Sequence, residues 1–379
     1  MKILFVLEWF FQRSGFVKVA SDLAKELSKF GHDVTLLTTT YDFDENFAKR
    51  LEQSGVDIIN FKCKIKFANF IYSPDMKHWL NNHIKEFDII HMHDYRTYQN
   101  IIVYKYAKKN NIPYILQPHG ALPYIYKPLL KRIFDKLWGH DLLTESTKII
   151  ALTHKEAEQC KKMGIMNDHI KIIPNGIDIS EYKNLPIEGI FRKRLDLNNN
   201  EKLVLYLGRL HKIKGIDLLV KAFGLLNDEL KNVKLIIAGP DSGILPHLND
   251  LTYDLGIDDK VIFIGSLYGK EKLEAYVDAD VLVYPSFYEI FGLVPLEALM
   301  CNTSVIVTKT CGCSEFIDKL NCGYLVEYGN LDDLKYKIKK ILQNPENENI
   351  IKCKNHIQNN LSWIKIAKEV ENCYNDSIN

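Results

Sequence analysis

The stretch KLVLYLGRLHKIKGID, residues 202–217, decides how the chain is read. Leu203 to Leu207 form an unbroken apolar run with a β-branched residue inside it, the pattern of a strand buried on both faces. Gly208 ends the run. A loop with two cations, Arg209 and Lys214, comes next, and Gly215 stands before a new apolar-periodic segment. Strand, loop and helix in that order open a βα unit. Such units stack into parallel sheets with helices on both faces.

The same alternation extends in both directions. Downstream lie VKLIIAG (233–239), KVIFIG (260–265), DVLVYPS (280–286), SVIVTK (304–309) and GYLVEY (323–328). Upstream lie KILFVL (2–7), DVTLLT (33–38), VDIINF (56–61), DIIHMH (88–93), PYILQP (113–118), KIIALT (148–153) and IKIIP (170–174). Amphipathic segments separate them. In GFVKVASDLAKELSKFG (15–31), Val19, Leu23 and Leu27 share a helix face and Gly31 suits the C-terminal cap. The pattern begins afresh at residue 202, after a polar stretch with Pro and Gly, KNLPIEGIFRKRLDLNNN (183–200). The expected fold is therefore α/β, with two Rossmann-like, doubly wound parallel-sheet domains over residues 1–185 and 186–360. A last amphipathic helix, within 361–379, sets Trp363, Ile366 and Val370 on one face.

Composition narrows the class. With 379 residues, 46% hydrophobic and 26% charged, the chain suits a two-domain globular protein. A net charge of +1 creates no global field for nucleic acid, so no nucleic-acid partner is expected. No apolar run reaches the ~20 residues of a membrane span. The opening MKILFVLEWFFQ is interrupted by Glu8 and lacks a small-residue cleavage site, so it reads as a first strand. Cys63, Cys160, Cys301, Cys311, Cys313, Cys322, Cys353 and Cys373 show no CxxC pairing. Scattered cysteines in a long chain suit reduced thiols and a cytoplasmic location. The spacing of Cys301, Cys311, Cys313 and Cys322 matches no common zinc pattern.

In open α/β sheets ligands sit beyond the carboxyl ends of the strands, so chemistry is sought in the loop after each strand. After the first strand comes EWFFQRSGF (8–16), where Gly15 opens a helix and leaves its N–H groups open to an anion. A plain helix start fits equally well. Arg209 and Lys214 at a strand end offer a planar fork and a point charge for a diphosphate. YEIFGLVPLE (288–297) places Glu289 and Glu297 at the two ends of an apolar segment. Gly292 is expected to start a helix, with Pro295 in its first turn and the N–H groups of Phe291, Gly292 and Leu293 facing the ligand. A carboxylate accepts two hydrogen bonds from a vicinal diol, so ligand hydroxyls would pair the two acids. The bland alternative is a helix entering the core with both acids reaching water.

His119 in QPHGAL (117–122) stands just after a strand and precedes Gly120. Its strand-end position favours a site role over a structural one. HMHD (91–94) sets His91 and His93 on one strand face, with no third metal ligand at convincing spacing. PNGID (174–178) reads as a turn. DAD (278–280) precedes its strand and reads as a helix-to-strand turn, away from the expected ligand edge.

Taken together, these segments resemble a known family. EIFGLVPLE resembles the E-x7-E motif of retaining GT-B glycosyltransferases, specifically glycosyltransferase family 4. GRLHKIKGID resembles that family's paired Arg and Lys element, and QPHGAL, IIPNGID, DVLVYPSFYE and the final helix opened by Ser362-Trp363 resemble its other landmarks, in order and over nearly the whole chain. The resemblance implies two domains facing across a cleft, with the last helix crossing back to the N-terminal domain. It implies a nucleotide diphosphate sugar as donor, with Arg209 and Lys214 on the diphosphate and Gly15 near it. Backbone groups of Phe291, Gly292 and Leu293 would touch sugar and phosphate, Glu289 the transferred sugar, Glu297 the ribose and His119 the sugar near the reacting carbon. It implies transfer of a hexose with retention, no cofactor and no essential metal. Many members carry two adjacent glycines in the first loop. This chain has Ser14-Gly15, which leaves the acceptor-side contacts open.

The acceptor is expected to be a saccharide or lipid-linked saccharide of a surface glycan. YIYKPLLKRIFDKLW (124–138) sets Lys127, Lys131, Arg132 and Lys136 beside Leu129, Ile133, Leu137 and Trp138. FKCKIKF (61–67) alternates Lys with apolar residues. Both suit peripheral contact with an anionic membrane, and both also suit a core-facing element with a solvated basic face. Two rivals stay open: a non-catalytic partner of the same shape, and another GT-B activity such as a nucleotide-sugar epimerase or sugar-phosphate synthase. The absence of GxGxxG speaks against a nicotinamide dehydrogenase.

Overall fold

The computed structural model describes every residue except 13, 68–69, 199, 228, 345–348 and 379. The chain forms two compact units. Unit 1 comprises Met1–Gly176 with Trp363–Asn379, and unit 2 comprises Ile177–Ser362. The expected division after residue 185 therefore falls earlier, after residue 176, and the last segment starts at Trp363. The reason is a set of contacts that composition does not show. Ile177 N–H donates to the Leu361 carbonyl at 2.7 Å, and Ile177 bridges Ser362. Tyr182 is buried, and its phenol is pushed up first by that burial and then by the charge of Glu297.

Unit 1 is built on β1 (Lys2–Val6), β2 (Asp33–Thr39), β3 (Val56–Phe61), β6 (Ile89–His93), β7 (Tyr114–Gln117), β8 (Lys148–Ala151) and β9 (Ile170–Ile172). They form a parallel sheet in the order β3-β2-β1-β6-β7-β8-β9. A short antiparallel pair, β4 (Ile65–Phe67) and β5 (Phe70–Tyr72), stands apart from it. The inner strands are apolar along their whole length because helices cover both faces: Leu4, Val6, Ile90, Met92, Leu116 and Ile149 are fully buried. The helix Gly15–Lys29 buries Val19, Leu23 and Leu27, and Gly31 takes φ +85° just past its end. The last helix, Trp363–Ile378, packs on it and buries Trp363, Ile366, Val370 and Tyr374.

Unit 2 repeats the plan with β10 (Lys202–Leu207), β11 (Val233–Ala238), β12 (Val261–Gly265), β13 (Val281–Tyr284), β14 (Ser304–Thr308) and β15 (Tyr324–Val326). The order is β12-β11-β10-β13-β14-β15, all parallel. In both units the strand order reverses beside the first strand. The loops after the two central strands diverge there and leave room for a ligand. In unit 1 that point lies after β1 and β6, and in unit 2 after β10 and β13.

Candidate functional site

In unit 2 the reversal point brings Arg209, Lys214 and Glu289 to one edge of the sheet. Arg209 stands just after β10 and is exposed. Lys214 closes a short 3-10 turn, Lys212–Lys214, after which Gly215 adopts φ +63°. The chain leaving β13 carries Glu289 back to it. Lys214 Nζ lies 2.5 Å from Glu289 Oε2, the Tyr284 hydroxyl donates to the same oxygen at 2.8 Å, and Lys214 Nζ reaches that hydroxyl at 3.1 Å. Burial pushes the Glu289 carboxyl up. The Lys214 charge and hydrogen bond, with Tyr284 and the Phe291 N–H, outweigh it and hold the group below the usual carboxylate range. The result is a charged, oriented carboxylate beside a cation.

The second acid has its own partners. Glu297 lies on the helix Leu293–Met300, with Lys272 Nζ 3.0 Å from Oε1 and the Tyr276 hydroxyl donating to Oε2 at 2.9 Å. The expectation that ligand hydroxyls pair these acids is therefore corrected: protein groups already do. A buried carboxylate without a partner is too costly to wait for a ligand. One of the three amides assigned to the ligand is also engaged, because the Phe291 N–H serves Glu289.

Gly292 caps the helix at φ +86°, and Pro295 is buried in its first turn. A Cβ on Gly292 would lie 2.6 Å from Cys311 Sγ and 3.0 Å from Cys313 Sγ. The turn Cys311–Gly312–Cys313 thus packs directly under the Glu289–Gly292 segment, and Gly312 N–H donates to the Glu289 carbonyl at 2.8 Å. Asp278 and Asp280 serve the opposite end of the sheet. Asp278 accepts from the Gly189 and Arg192 amides, and Asp280 from Lys202 and the Leu203 amide. Among the described residues no group of three or more His, Cys, Asp or Glu is arranged to hold a metal ion.

In unit 1 the reversal point brings other groups together. His119 stands just after β7 in the left-handed region, φ +51°, and is half-buried. The next amide, of Gly120, donates to Glu156 Oε1 at 2.6 Å, and the Leu152 amide donates to Oε2 at 2.8 Å. Burial raises the Glu156 carboxyl to about 7 against those two hydrogen bonds. His119 Nε2 lies 2.9 Å from His93 Nδ1, and the Phe16 ring, next to Gly15, is 5.9 Å from the His119 ring. Gly15 and His119 therefore share one edge. Burial lowers His119 to about 3, so the ring is neutral.

Sequence reasoning missed Glu8, which it used only as a break in an apolar run. Glu8 lies just beyond β1 at the reversal point and is 1% exposed, and among the described residues neither carboxylate oxygen has a partner. Burial, then the charge of Asp94, pushes its carboxyl well up. A lone acid directly after the first strand was the available signal. The folded state holds a proton on Glu8 that the unfolded chain releases above its ordinary value of 4.5. Stability must fall as the pH rises from there. Glu8→Gln removes that loss. The variant should be more stable than the parent at pH 8 and nearly equal to it at pH 4.5. Melting curves at the two pH values check this, and an equal difference at both would refute the buried, protonated state.

Residues 124–138 depart from the core-facing reading. The helix Pro128–Phe134 buries none of its residues, and Leu129, Leu130, Ile133 and Leu137 are 47–68% exposed. The face is not core-facing. Lys131 does not belong to it, since its ammonium donates to the Pro123 carbonyl at 2.7 Å. Asp135 turns inward to a bidentate pair with Arg96, Nε–Oδ1 2.8 Å and Nη2–Oδ2 2.7 Å. Lys127, Arg132 and Lys136 remain exposed. Among the described residues no helix is long and apolar enough to cross a membrane.

Residues 188–360 match the family model of the glycosyl transferases group 1, and residues 13–181 that of glycosyltransferase family 4. An uncharacterized glycosyltransferase of Methanocaldococcus jannaschii is 31% identical over 367 residues, covering 93% of this chain and 92% of that protein. A D-inositol 3-phosphate glycosyltransferase of Stackebrandtia nassauensis is 26% identical over 308 residues, 77% of this chain and 69% of that protein. The crystal structure of Anabaena HepE in complex with UDP and glucose has a TM-score of 0.81 at 19% identity, over 99% of this chain and 100% of that one. That of WaaG, a glycosyltransferase involved in lipopolysaccharide biosynthesis, has a TM-score of 0.76 at 19% identity, over 98% and 99%. These structural likenesses bear on the fold.

Proposed function

The chain belongs to the group 1 glycosyltransferases, with a GT-B fold, and from that premise we propose that it transfers a hexose from a nucleotide diphosphate sugar to a hydroxyl of a saccharide or lipid-linked saccharide, with retention, in surface glycan assembly. The observation that carries this reading is the Lys214–Glu289–Tyr284 cluster beside exposed Arg209 at the reversal point of unit 2. Two cations and an oriented carboxylate at a strand-end edge suit a sugar diphosphate. The UDP and glucose bound by HepE support a nucleotide sugar as donor.

Arg209 and Lys214 take the diphosphate oxygens, and the helix start at Gly15 is assigned to the donor. Glu289 accepts hydrogen bonds from the transferred sugar and Glu297 from the ribose. The amides of Gly292 and Leu293 face sugar and phosphate, and His119 contacts the sugar near its reacting carbon. The bond from the anomeric carbon to the acceptor oxygen forms as the bond to the phosphate oxygen breaks, on the same face. The acceptor's proton passes to the leaving diphosphate. Arg209 and Lys214 stabilise the charge that develops there, in the role a metal ion fills elsewhere. No essential metal or cofactor is needed for this chemistry.

The experiment is incubation with nucleotide sugars and candidate acceptors, with products read by NMR. A new glycosidic bond with the donor's anomeric configuration supports the reading. An inverted product removes retention, a changed donor sugar indicates an epimerase, and no product with any donor indicates a non-catalytic partner.

The exposed face of 126–138 is assigned to an anionic lipid surface, because Lys127, Arg132 and Lys136 flank the exposed apolar residues Leu129, Leu130, Ile133 and Leu137. Sedimentation should show binding to vesicles with phosphatidylglycerol, weak binding to phosphatidylcholine alone, and release by salt. Leu129→Ser with Leu137→Ser should lower binding without changing melting. Equal binding to both vesicle types, or to neither, contradicts the assignment.

A further inference from the structure

His119 is the last member of a row that runs through unit 1. The Tyr374 hydroxyl, on the last helix, lies 2.7 Å from His91 Nδ1. The His91 ring stacks on His93, with centroids 4.2 Å apart and planes 28° apart, and His93 stacks on His119 at 5.2 Å and 20°. His91 and His93 share a face because they stand two apart on β6. His119 joins them because β7 lies beside β6, with Gln117 opposite His93. The Phe5 ring, 5.0 Å away, closes the side of His93, and Asn100 Nδ2 holds the His93 carbonyl at 3.2 Å. His93 is fully buried.

Between His93 Nδ1 and His119 Nε2, 2.9 Å apart, there is room for one proton. A neutral imidazole carries one N–H and one bare nitrogen, so one ring must donate and the other accept. The direction is set by the far side of His93. Its Nε2 is buried and has no partner among the described residues. An orphaned N–H there is worse than an orphaned lone pair, since buried donors without acceptors are the rarer defect. The proton of His93 therefore sits on Nδ1 and points at His119. His119 Nε2 must accept it, which leaves the proton of His119 on Nδ1. That nitrogen makes no hydrogen bond among the described residues.

We propose that His93 is a positioning residue that fixes His119 as the Nδ1–H tautomer, so that His119 presents a hydrogen-bond donor, and not a base, to the substrate. The inference rests on the proposed contact of His119 with the reacting sugar. It narrows that contact to donation onto a sugar oxygen. It also explains why His119 is left no part in taking the acceptor's proton: its only basic nitrogen is already occupied.

The test has two independent readouts. The first is the long-range ¹⁵N–¹H spectrum of protein labelled in its histidine rings, with the His119 signals assigned by comparison with His119→Gln. Nδ1 should be protonated and Nε2 bare in the parent and in His93→Asn, whose amide still donates to Nε2. His93→Phe keeps the ring volume without the donor and should show mixed tautomers. The second is steady-state transfer. His93→Phe should lower kcat about tenfold or more with little change in donor KM, and His93→Asn should restore kcat to within about threefold of the parent.

A parent His119 protonated on Nε2 overturns the proposal whatever the activity, and so does an Asn variant as slow as the Phe variant. If the protein transfers no sugar, the spectrum still decides the tautomer, so failure of the functional reading and failure of this inference are told apart. Should His93→Phe not fold, the parent and His93→Asn spectra suffice.

Discussion

Lys214→Ala is expected to reduce kcat/KM for the donor about 100- to 1,000-fold, the usual loss when one charged stabiliser of a leaving group is removed. It is also expected to destabilise unit 2. The pair is buried enough for the loss to be felt, with side-chain exposures of 14% for Lys214 and 20% for Glu289. Removing one member of such a pair leaves an uncompensated charge and costs about 3 kcal/mol or more. The deficit depends on pH. Glu289 is held below its ordinary value of 4.5 by Lys214 against burial, so its contribution is present above that value and is lost as the pH falls through the folded pKa. Without Lys214, only the Tyr284 hydroxyl and the Phe291 N–H oppose burial, and the carboxyl rises. The gap between variant and parent should be full at neutral pH and shrink below about 4.5. Denaturant titrations at pH 7 and pH 4, with donor kinetics at pH 7, measure both effects. An unchanged donor kcat/KM would remove Lys214 from the site.

Gly312→Ala is the second large effect, and it acts through packing. A Cβ there would lie 1.9 Å from the Ile290 carbonyl oxygen, 2.5 Å from its carbon and 2.9 Å from Phe291 Cα. All three are backbone atoms and cannot rotate away. The turn must retreat, which breaks the hydrogen bond from Gly312 N–H to the Glu289 carbonyl and frees the segment that aims Glu289. Overpacking of this kind costs about 1–3 kcal/mol, and more where backbone must move. Donor affinity should fall with it, although residue 312 has no contact with the ligand in the proposed site. Full stability together with full donor affinity would show that the turn does not support the site.

Local interactions are legible in a sequence, and distant ones are not. The strands of both units stand out because parallel strands covered on both faces are apolar throughout, as in KILFVL and KLVLYL. The strand-end rule then locates Arg209, Lys214, Glu289 and His119. The structure brings the first three together in unit 2 and sets His119 beside Gly15 and Phe16 in unit 1. The hidden part depends on register and on partners distant in the chain. Lys272 and Tyr276 pair Glu297 from another helix, and Lys131 folds inward onto Pro123 and away from the basic face. The division after residue 176 rests on Ile177 meeting Leu361, a contact without a compositional signature. The spacing of His91 and His93 is visible in the sequence, but their stacking on His119 needs the alignment of β6 with β7.

The claim that unit 2 holds a sugar diphosphate on its own cations is tested most directly by thermal shift. The parent and Lys214→Ala would be melted against a panel of nucleotide diphosphates and nucleotide sugars, with and without chelator. One nucleotide sugar should stabilise the parent, by about 2.7 kcal/mol at a hundredfold excess over Kd. Chelator should leave this unchanged, and Lys214→Ala should remove most of it. No stabilisation by any nucleotide sugar, or stabilisation that disappears with chelator, would contradict the claim.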